Sequence, residues 1–286
     1  MIKTILVPVT AGAADRPLCD AALRVAASLR AHLQFVHVRL DPVEVAAVAT
    51  AADLAVTPAT GDWIEAMEQD ATERATTAKA MIDELAAAGR IVLGDAGGRP
   101  GVAASYAVET GRESEWIARY ARTADLLIAA RGEHGSGRET IEAALLGSGR
   151  PVLIAAGSPL AWPPSRVAIA WKPTRESARA VDGALPLLAM AKHVSIIAVA
   201  EEEEEVDRGA LARLRSNLGR HGLEVELHTP GMGDDPGATM IETALAAGAD
   251  LVVMGGYGRS RFREFVFGGF TDRVLSGAPL PVLIAH

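Results

Sequence analysis

Short apolar runs punctuate the chain without the polar alternation of a half-exposed strand: TILVPV (4–9), LQFVHV (33–38), ADLLIAA (124–130), PVLIAA (151–156), RVAIAW (166–171), VSIIAV (194–199), ADLVVM (249–254) and PVLIAH (281–286). Continuous apolar strands are what a parallel sheet needs when helices cover both of its faces. Helix-length, Ala-rich segments separate them. In the second half the pattern predicts strands near 166–171, 194–200, 223–228, 250–255 and 281–285. Helices are predicted near 174–190, 206–221, 236–248 and 271–277.

The runs also repeat in order. ADLLIAARG matches ADLVVMGGYG, PVLIAA matches PVLIAH, and each half opens on an aliphatic strand followed by a turn and a helix. Such self-similarity marks a duplicated unit. Two α/β domains follow, 1–156 and 166–286, each expected to be a five-stranded, doubly wound parallel sheet. Between them GSPLAWPPS (157–165) reads as a linker, since its prolines and glycine continue neither element. The Ala/Thr-rich excursion 41–63 reads as a flexible loop or lid. The fifth strands, PVLIAA and PVLIAH, are aliphatic sheet edges, and a bare apolar edge invites aggregation. Pairing them across an internal two-fold gives a pseudo-dimer and removes both exposures. A homodimer of whole chains stays open as well.

Composition narrows the partners. The 286 residues are 49 % apolar and 22 % charged, a globular balance, and the net charge of −8 opposes a general nucleic-acid or anionic-membrane binder. A single cysteine, Cys19, leaves no internal disulfide and no cysteine-cluster metal site, and reads as a buried small residue. MIKTILVPV reads as a first strand rather than a leader, and no run reaches the length of a membrane span, so a cytoplasmic protein is expected. EEEEEV (201–206) reads as a solvated helix entry, and His37 and His193 have no second metal ligand at suitable spacing.

Chemistry concentrates in GGYGRSRFREFVFGGFTDRV (255–274), directly after the fourth strand of the second half. Ligands of open α/β sheets sit at the carboxyl ends of strands. Glycines there allow close backbone approach, and a helix starting near Thr271 would aim free N–H groups at the same place, which suits a phosphate. Simple turn chemistry is the competing reading. Neither a Walker lysine motif nor the G-x-G-x-x-G of dinucleotide folds occurs. Arg259, Arg261 and Arg263 either contact an anion or form a solvated face with Glu264.

The spacing Gly255-x2-Gly258-x9-Gly268-Gly269, after strand four and before a closing PVLI strand, resembles the universal stress protein family, and the duplication resembles its tandem members. The resemblance implies two domains of the adenine nucleotide alpha hydrolase-like fold and a stress-response role. It implies an adenine nucleotide (ATP, ADP or AMP) in the second domain, with Mg only as the nucleotide's companion and no metal site of its own. It places Gly255, Tyr257, Gly258, Gly268, Gly269, Phe270 and Thr271 about the ribose and phosphates, and Met254 and Val199 near the base. Two positions depart from the family. Gly269 stands where a Ser or Thr side chain would hold phosphate. Lys172 and Thr10 stand where an Asp would meet the adenosine; Lys172 has donors only and would face an anion instead. Trp171 beside it is large enough to fill an adenine pocket. The first half, AARGEHGSGRETIEAALLGSG (129–149), has lost the glycine spacing and the basic run. No nucleophile or general base accompanies the glycine loop. Three readings remain: a regulatory module binding a nucleotide or similar phosphate ligand, a partner-binding stress protein without nucleotide, and a weak ATP hydrolase.

Overall fold

The computed structural model describes residues 1–43, 45, 60–94, 100–131, 137–155, 160–200, 206–231, 235–256 and 269–286. The first half runs β1 (Thr4–Pro8), α1 (Asp15–Leu29), β2 (His32–Arg39), α2 (Thr60–Ala87), β3 (Ile91–Leu93), β4 (Val102–Thr110), α3 (Glu113–Ala121), β5 (Leu126–Ala130), α4 (Arg138–Ser148) and β6 (Val152–Ala155). The second runs β7 (Arg166–Ala170), α5 (Arg175–Leu188), β8 (His193–Ile197), α6 (Arg208–Arg220), β9 (Val225–His228), α7 (Pro236–Ala246), β10 (Leu251–Gly255), α8 (Gly269–Gly277) and β11 (Val282–Ala285).

All the described strands lie in one sheet of eleven, ordered β3-β4-β2-β1-β5-β6-β11-β10-β7-β8-β9. Within each half the pairing is parallel, as in Thr4↔His32 through Pro8↔Val36 and its counterpart Arg166↔His193 through Ala170↔Ile197. The halves join through β6 and β11, which pair antiparallel with Leu153 opposite Leu283. Both leucines are fully buried. The internal two-fold expected from the two PVLI edges is therefore present, and it turns the carboxyl ends of the two sets of strands toward opposite edges of the sheet.

The first half carries one strand more than the five expected. Its extra strand, β3, follows α2 and pairs with the outer side of β4 through Ile91↔Val102 to Leu93↔Ala104. The cause is local: Ile91-Val92-Leu93 is an apolar triplet, and Ile91 is buried. Helix α8 begins at Gly269, two residues before the expected start, so Thr271 lies inside its first turn.

Apolar residues fill both faces of the sheet, as the continuous runs require. On one face α1, α2, α5 and α6 bury residues such as Leu18, Ile82, Leu187 and Leu218. On the other α3, α4, α7 and α8 bury Ile117, Leu145, Met240 and Val274. Each of these two cores draws on both halves. The described part of the linker is packed as well, with Leu160 buried and the Trp162 indole donating to Ser28 Oγ at 2.6 Å. Most of the 41–63 excursion lies outside the described residues. No described helix is long and apolar enough to cross a membrane.

Candidate functional site

The topological switch of the second half lies between β7 and β10, neighbours whose chains leave the sheet in different directions. At that edge β7 continues into Trp171, whose N–H donates to the Ile197 carbonyl at 2.9 Å and extends the ladder by one residue. Lys172 follows, half-buried, and its carbonyl accepts from Thr174 N at 2.7 Å. The Thr174 hydroxyl then caps α5 by accepting from Ser177 N at 3.3 Å. One strand away, Met254 is buried opposite Ala170.

Strand alternation sorts the predicted residues by face. Met254 and Val199 belong to the core under α7 and α8, together with Ala170. Trp171, one residue on from Ala170, packs into the opposite core under α5 and α6. Its indole nitrogen is buried there without a hydrogen-bond partner among the described residues. Trp171 and the Met254–Val199 pair are thus not brought together. Beside Trp171 and Pro173 lies an open groove of about 760 Å³, walled by Arg213, Leu214, Asn217 and Arg220 of α6.

The two glycines after β10 have a structural account. A Cβ on Gly255 would sit 2.4 Å from Ser177 N and 2.7 Å from the Glu176 carbonyl carbon. One on Gly256 would meet Ile284 Cδ1 at 2.7 Å. Strand β10 ends against the first turn of α5 and against β11, so Gly255 excludes a side chain for packing reasons alone, and one at Gly256 would require the Ile284 side chain to move. Gly256 N donates to the Ala285 carbonyl at 2.8 Å. Tyr257, Gly258 and Gly268, with Arg259, Arg261 and Arg263, lie outside the described residues. Gly269 and Phe270 open α8, and Thr271 is buried behind them.

Charges missed in the sequence sit around this edge. Asp235 caps α7, accepting from Gly237 N at 2.9 Å and Ala238 N at 3.0 Å, and also pairs with Arg273 of α8. Those backbone donors and Arg273 hold its carboxyl below the usual range, against a smaller desolvation effect. Glu176 is buried in the first turn of α5 beside Arg175. Burial raises its pKa, yet the bonds from Arg175, its own backbone and Thr174 together bring it below the normal value. The Asp-Pro pair at 235–236 is a legible helix start; nothing local foretells its arginine.

The matching edge of the first half is filled differently. Helices α1, α3 and α4 have no side-chain cap and carry Asp15, Glu113 and Glu139 in their first turns. Asp15 is buried and accepts from Thr10 N at 2.9 Å and from the Thr10 hydroxyl at 3.2 Å. Glu113 accepts from the Thr140 hydroxyl at 2.9 Å, which ties α3 to α4. Burial pushes both carboxyls above their usual range, more than their hydrogen bonds pull them down. Buried His37 adds a ring nitrogen: Nδ1 bonds the Val9 carbonyl at 2.7 Å, and Nε2 has no hydrogen-bond partner among the described residues. Because a carbonyl only accepts, Nδ1 is the donor in that bond. Each of these three helix starts carries an acidic residue of its own in the first turn, where the dipole favours negative charge.

Residues 165–286 match the sequence profile of the Universal stress protein family. Comparison with curated proteins gives no significant match. Among solved structures, a universal stress protein from Archaeoglobus fulgidus DSM 4304 superposes with a TM-score of 0.69 at 18 % identity, covering 99 % of this chain and 97 % of that one. A putative universal stress protein from Pseudomonas aeruginosa UCBPP-PA14 does so with a TM-score of 0.60 at 14 % identity, covering 99 % and 93 %. At these identities the likeness is one of fold, and it extends over both halves. The second half, residues 165–286, thus carries the profile of the Universal stress protein family, and both halves share the fold of these solved structures.

Proposed function

We propose that the protein is a non-catalytic regulatory module whose second half binds one adenine nucleotide per chain. The observation that carries this reading is the contrast between the two strand edges. In the second half Met254 and Val199 lie on the face that α8 covers, and the glycine-rich sequence 255–268 precedes the start of α8. In the first half the same edge is filled by Asp15 and Glu113. On this reading Met254 and Val199 take the base, Lys172 lies near the nucleoside, and the loop Tyr257–Gly268 with Gly269, Phe270 and Thr271 holds the phosphates. A bound nucleotide would bring Mg with it and supply the polyphosphate charge that a helix start favours.

Native mass spectrometry of freshly purified protein, with thermal shift at millimolar ATP and Mg, tests it. One nucleotide per chain is expected, lost in Gly268→Val and kept in Gly132→Val. Absence of both co-purified nucleotide and any shift overturns the proposal. The inward packing of Trp171 favours a competing reading, a partner-binding protein without nucleotide, and that same negative result would select it.

A further inference from the structure

Helix α8 spans the sheet from one functional edge to the other. Its start lies at the second-half ligand edge, after the glycine loop. Its end lies near the beginning of β11, and the antiparallel pairing of β11 with β6 puts that point at the first half's edge. The helix has nine residues and is about 13 Å long. It has no basic residue in its own last turn.

The missing cation comes from the other half. Arg131, half-buried, donates from Nη1 to the Val274 carbonyl at 2.6 Å and from Nη2 to the Ala278 carbonyl at 2.7 Å. The Val274 carbonyl otherwise accepts only a long bond, 3.4 Å, from Ala278 N just past the helix end, among the described residues. A guanidinium across the final carbonyls satisfies groups the helix leaves open and complements the negative end of its dipole. From the flank, Arg138 of α4 reaches Asp272 at 2.8 Å. Arg131 occupies the position after β5 that Gly256 occupies after β10, since Ala130 pairs with Ala155 as Gly255 pairs with Ala285. Gly256 has no side chain to return the contact, and a Cβ there would lie 2.7 Å from Ile284 Cδ1.

We propose that Arg131 is a positioning residue for the second half's ligand edge: by holding the carbonyls of Val274 in the last turn of α8 and of Ala278 just past its end, it sets the order of the helix start about 13 Å away. The first half then serves as the anchor of the other half's ligand helix. The ligand part of this inference rests on the nucleotide reading above; the ordering part does not. Hydrogen exchange of peptides covering 269–278 tests the ordering, and calorimetric titration with ATP tests its consequence. Arg131→Met is expected to speed exchange of the α8 amides, including its first turn, about tenfold, because local opening needs less free energy. ATP affinity is expected to fall about fivefold, the low end of ordinary coupling between sites. Arg131→Lys should recover only part of both, since an ammonium cannot bridge two carbonyls as a planar fork does. Gly268→Val should abolish ATP binding while leaving exchange of α8 in the free protein as it was.

That last contrast separates the two failures. If the wild-type protein takes no ATP, the nucleotide reading fails, and exchange of the α8 first turn still tests the anchor. Unchanged first-turn exchange in Arg131→Met overturns the inference. So does raised exchange with ATP affinity unaltered, which would make Arg131 structural only. Should Arg131→Met not fold, Arg131→Lys carries the same two readouts, and the same two results overturn the inference.

Discussion

The two halves share a frame and differ at the ends of their strands. Ala130 and Gly255 close equivalent strands, yet only the second has the first turn of a helix within 2.4 Å of where a Cβ would lie. Arg131 and Gly256 come next; one reaches across to the other half, the other is sealed by Ile284. Thr10 binds Asp15 where Lys172 begins a threonine-capped turn. The pairing registers β1–β2 and β7–β8 remain equivalent throughout. After duplication, packing constrains the sheet interior on both faces alike, while the strand ends meet turns and helix starts that differ between the halves.

The sharpest way to break this contrast is to exchange Ala130 and Gly255. Gly255→Ala forces the α5 first turn to move, and overpacking against backbone is expected to cost about 3 kcal/mol, read from denaturant midpoints. Ala130→Gly should cost under about 1 kcal/mol, mostly chain entropy. Equal losses would mean the two strand ends are packed alike. A linked measurement asks whether the halves unfold separately. Burial and the nearby Asp15 and Asp20 carboxylates push the Cys19 thiol pKa up to about 12, so it should resist thiol reagents in the folded protein. Both cores draw residues from both halves. Gly255→Ala, although distant, should therefore speed Cys19 labelling about a hundredfold, the factor that about 3 kcal/mol of global stability implies. Labelling at the wild-type rate would show a second half that opens alone.

Most of the architecture was legible because its cause is the apolar period. Runs such as VSIIAV and PVLIAH can only be buried strands, and the two PVLI edges identify the partner that covers each. The helix starts of the second half were legible too, since Thr174, Asp207 and Asp235 each cap with their own side chains. The first half hid its starts behind Asp15, Glu113 and Glu139, which act from inside the first turn and have no comparably strong local pattern. Strand β3 was hidden by brevity. Arg131 looked like decay of a glycine motif, because its carbonyl partners lie 143 and 147 residues away. For the glycines themselves the spacing was readable but their reason was not: Gly255 and Gly256 are small because Ser177 and Ile284 are close.

Acid should sharpen the difference between the edges. Glu113 has its folded pKa above the normal value, chiefly from burial, so its contribution to stability is complete below the unfolded pKa and is lost as pH rises through the folded one. Asp15 has the same sign. Lowering pH from about 7 toward about 4 should favour the wild type over Glu113→Gln, which cannot titrate. The difference in Tm is expected to shift by the order of 2 °C across that range, followed by calorimetry. A constant difference would mean the carboxyl is no harder to ionise folded than unfolded. Glu176 has the opposite sign, with its pKa held down, so Glu176→Gln should lose ground to the wild type near neutral pH and regain it in acid.

The smallest effect concerns Lys172, and its sign decides how a nucleotide would lie. Trp171 turns into the core under α5 and α6, and the strand ladder extends to it, so alternation puts position 172 on the face of Ala170, Val199 and Met254. That is the nucleoside side of the proposed site, where ribose hydroxyls and the adenine amino group need acceptors and a lysine offers none. Lys172→Asp supplies one. Adenosine, which has no phosphate, should bind a few-fold more tightly to the variant, in keeping with the net contribution of about 0.5–1.5 kcal/mol from a typical hydrogen bond. ATP should gain less, because reversing a charge near the site adds repulsion from the polyphosphate that solvent only partly screens. Titrating both ligands into both proteins separates the two contributions without a structure of the complex. If Lys172→Asp weakens adenosine and ATP alike, the lysine is not beside the nucleoside. If it weakens ATP alone, and strongly, Lys172 holds the phosphates and the nucleotide runs in the opposite direction, with its base toward the start of α8.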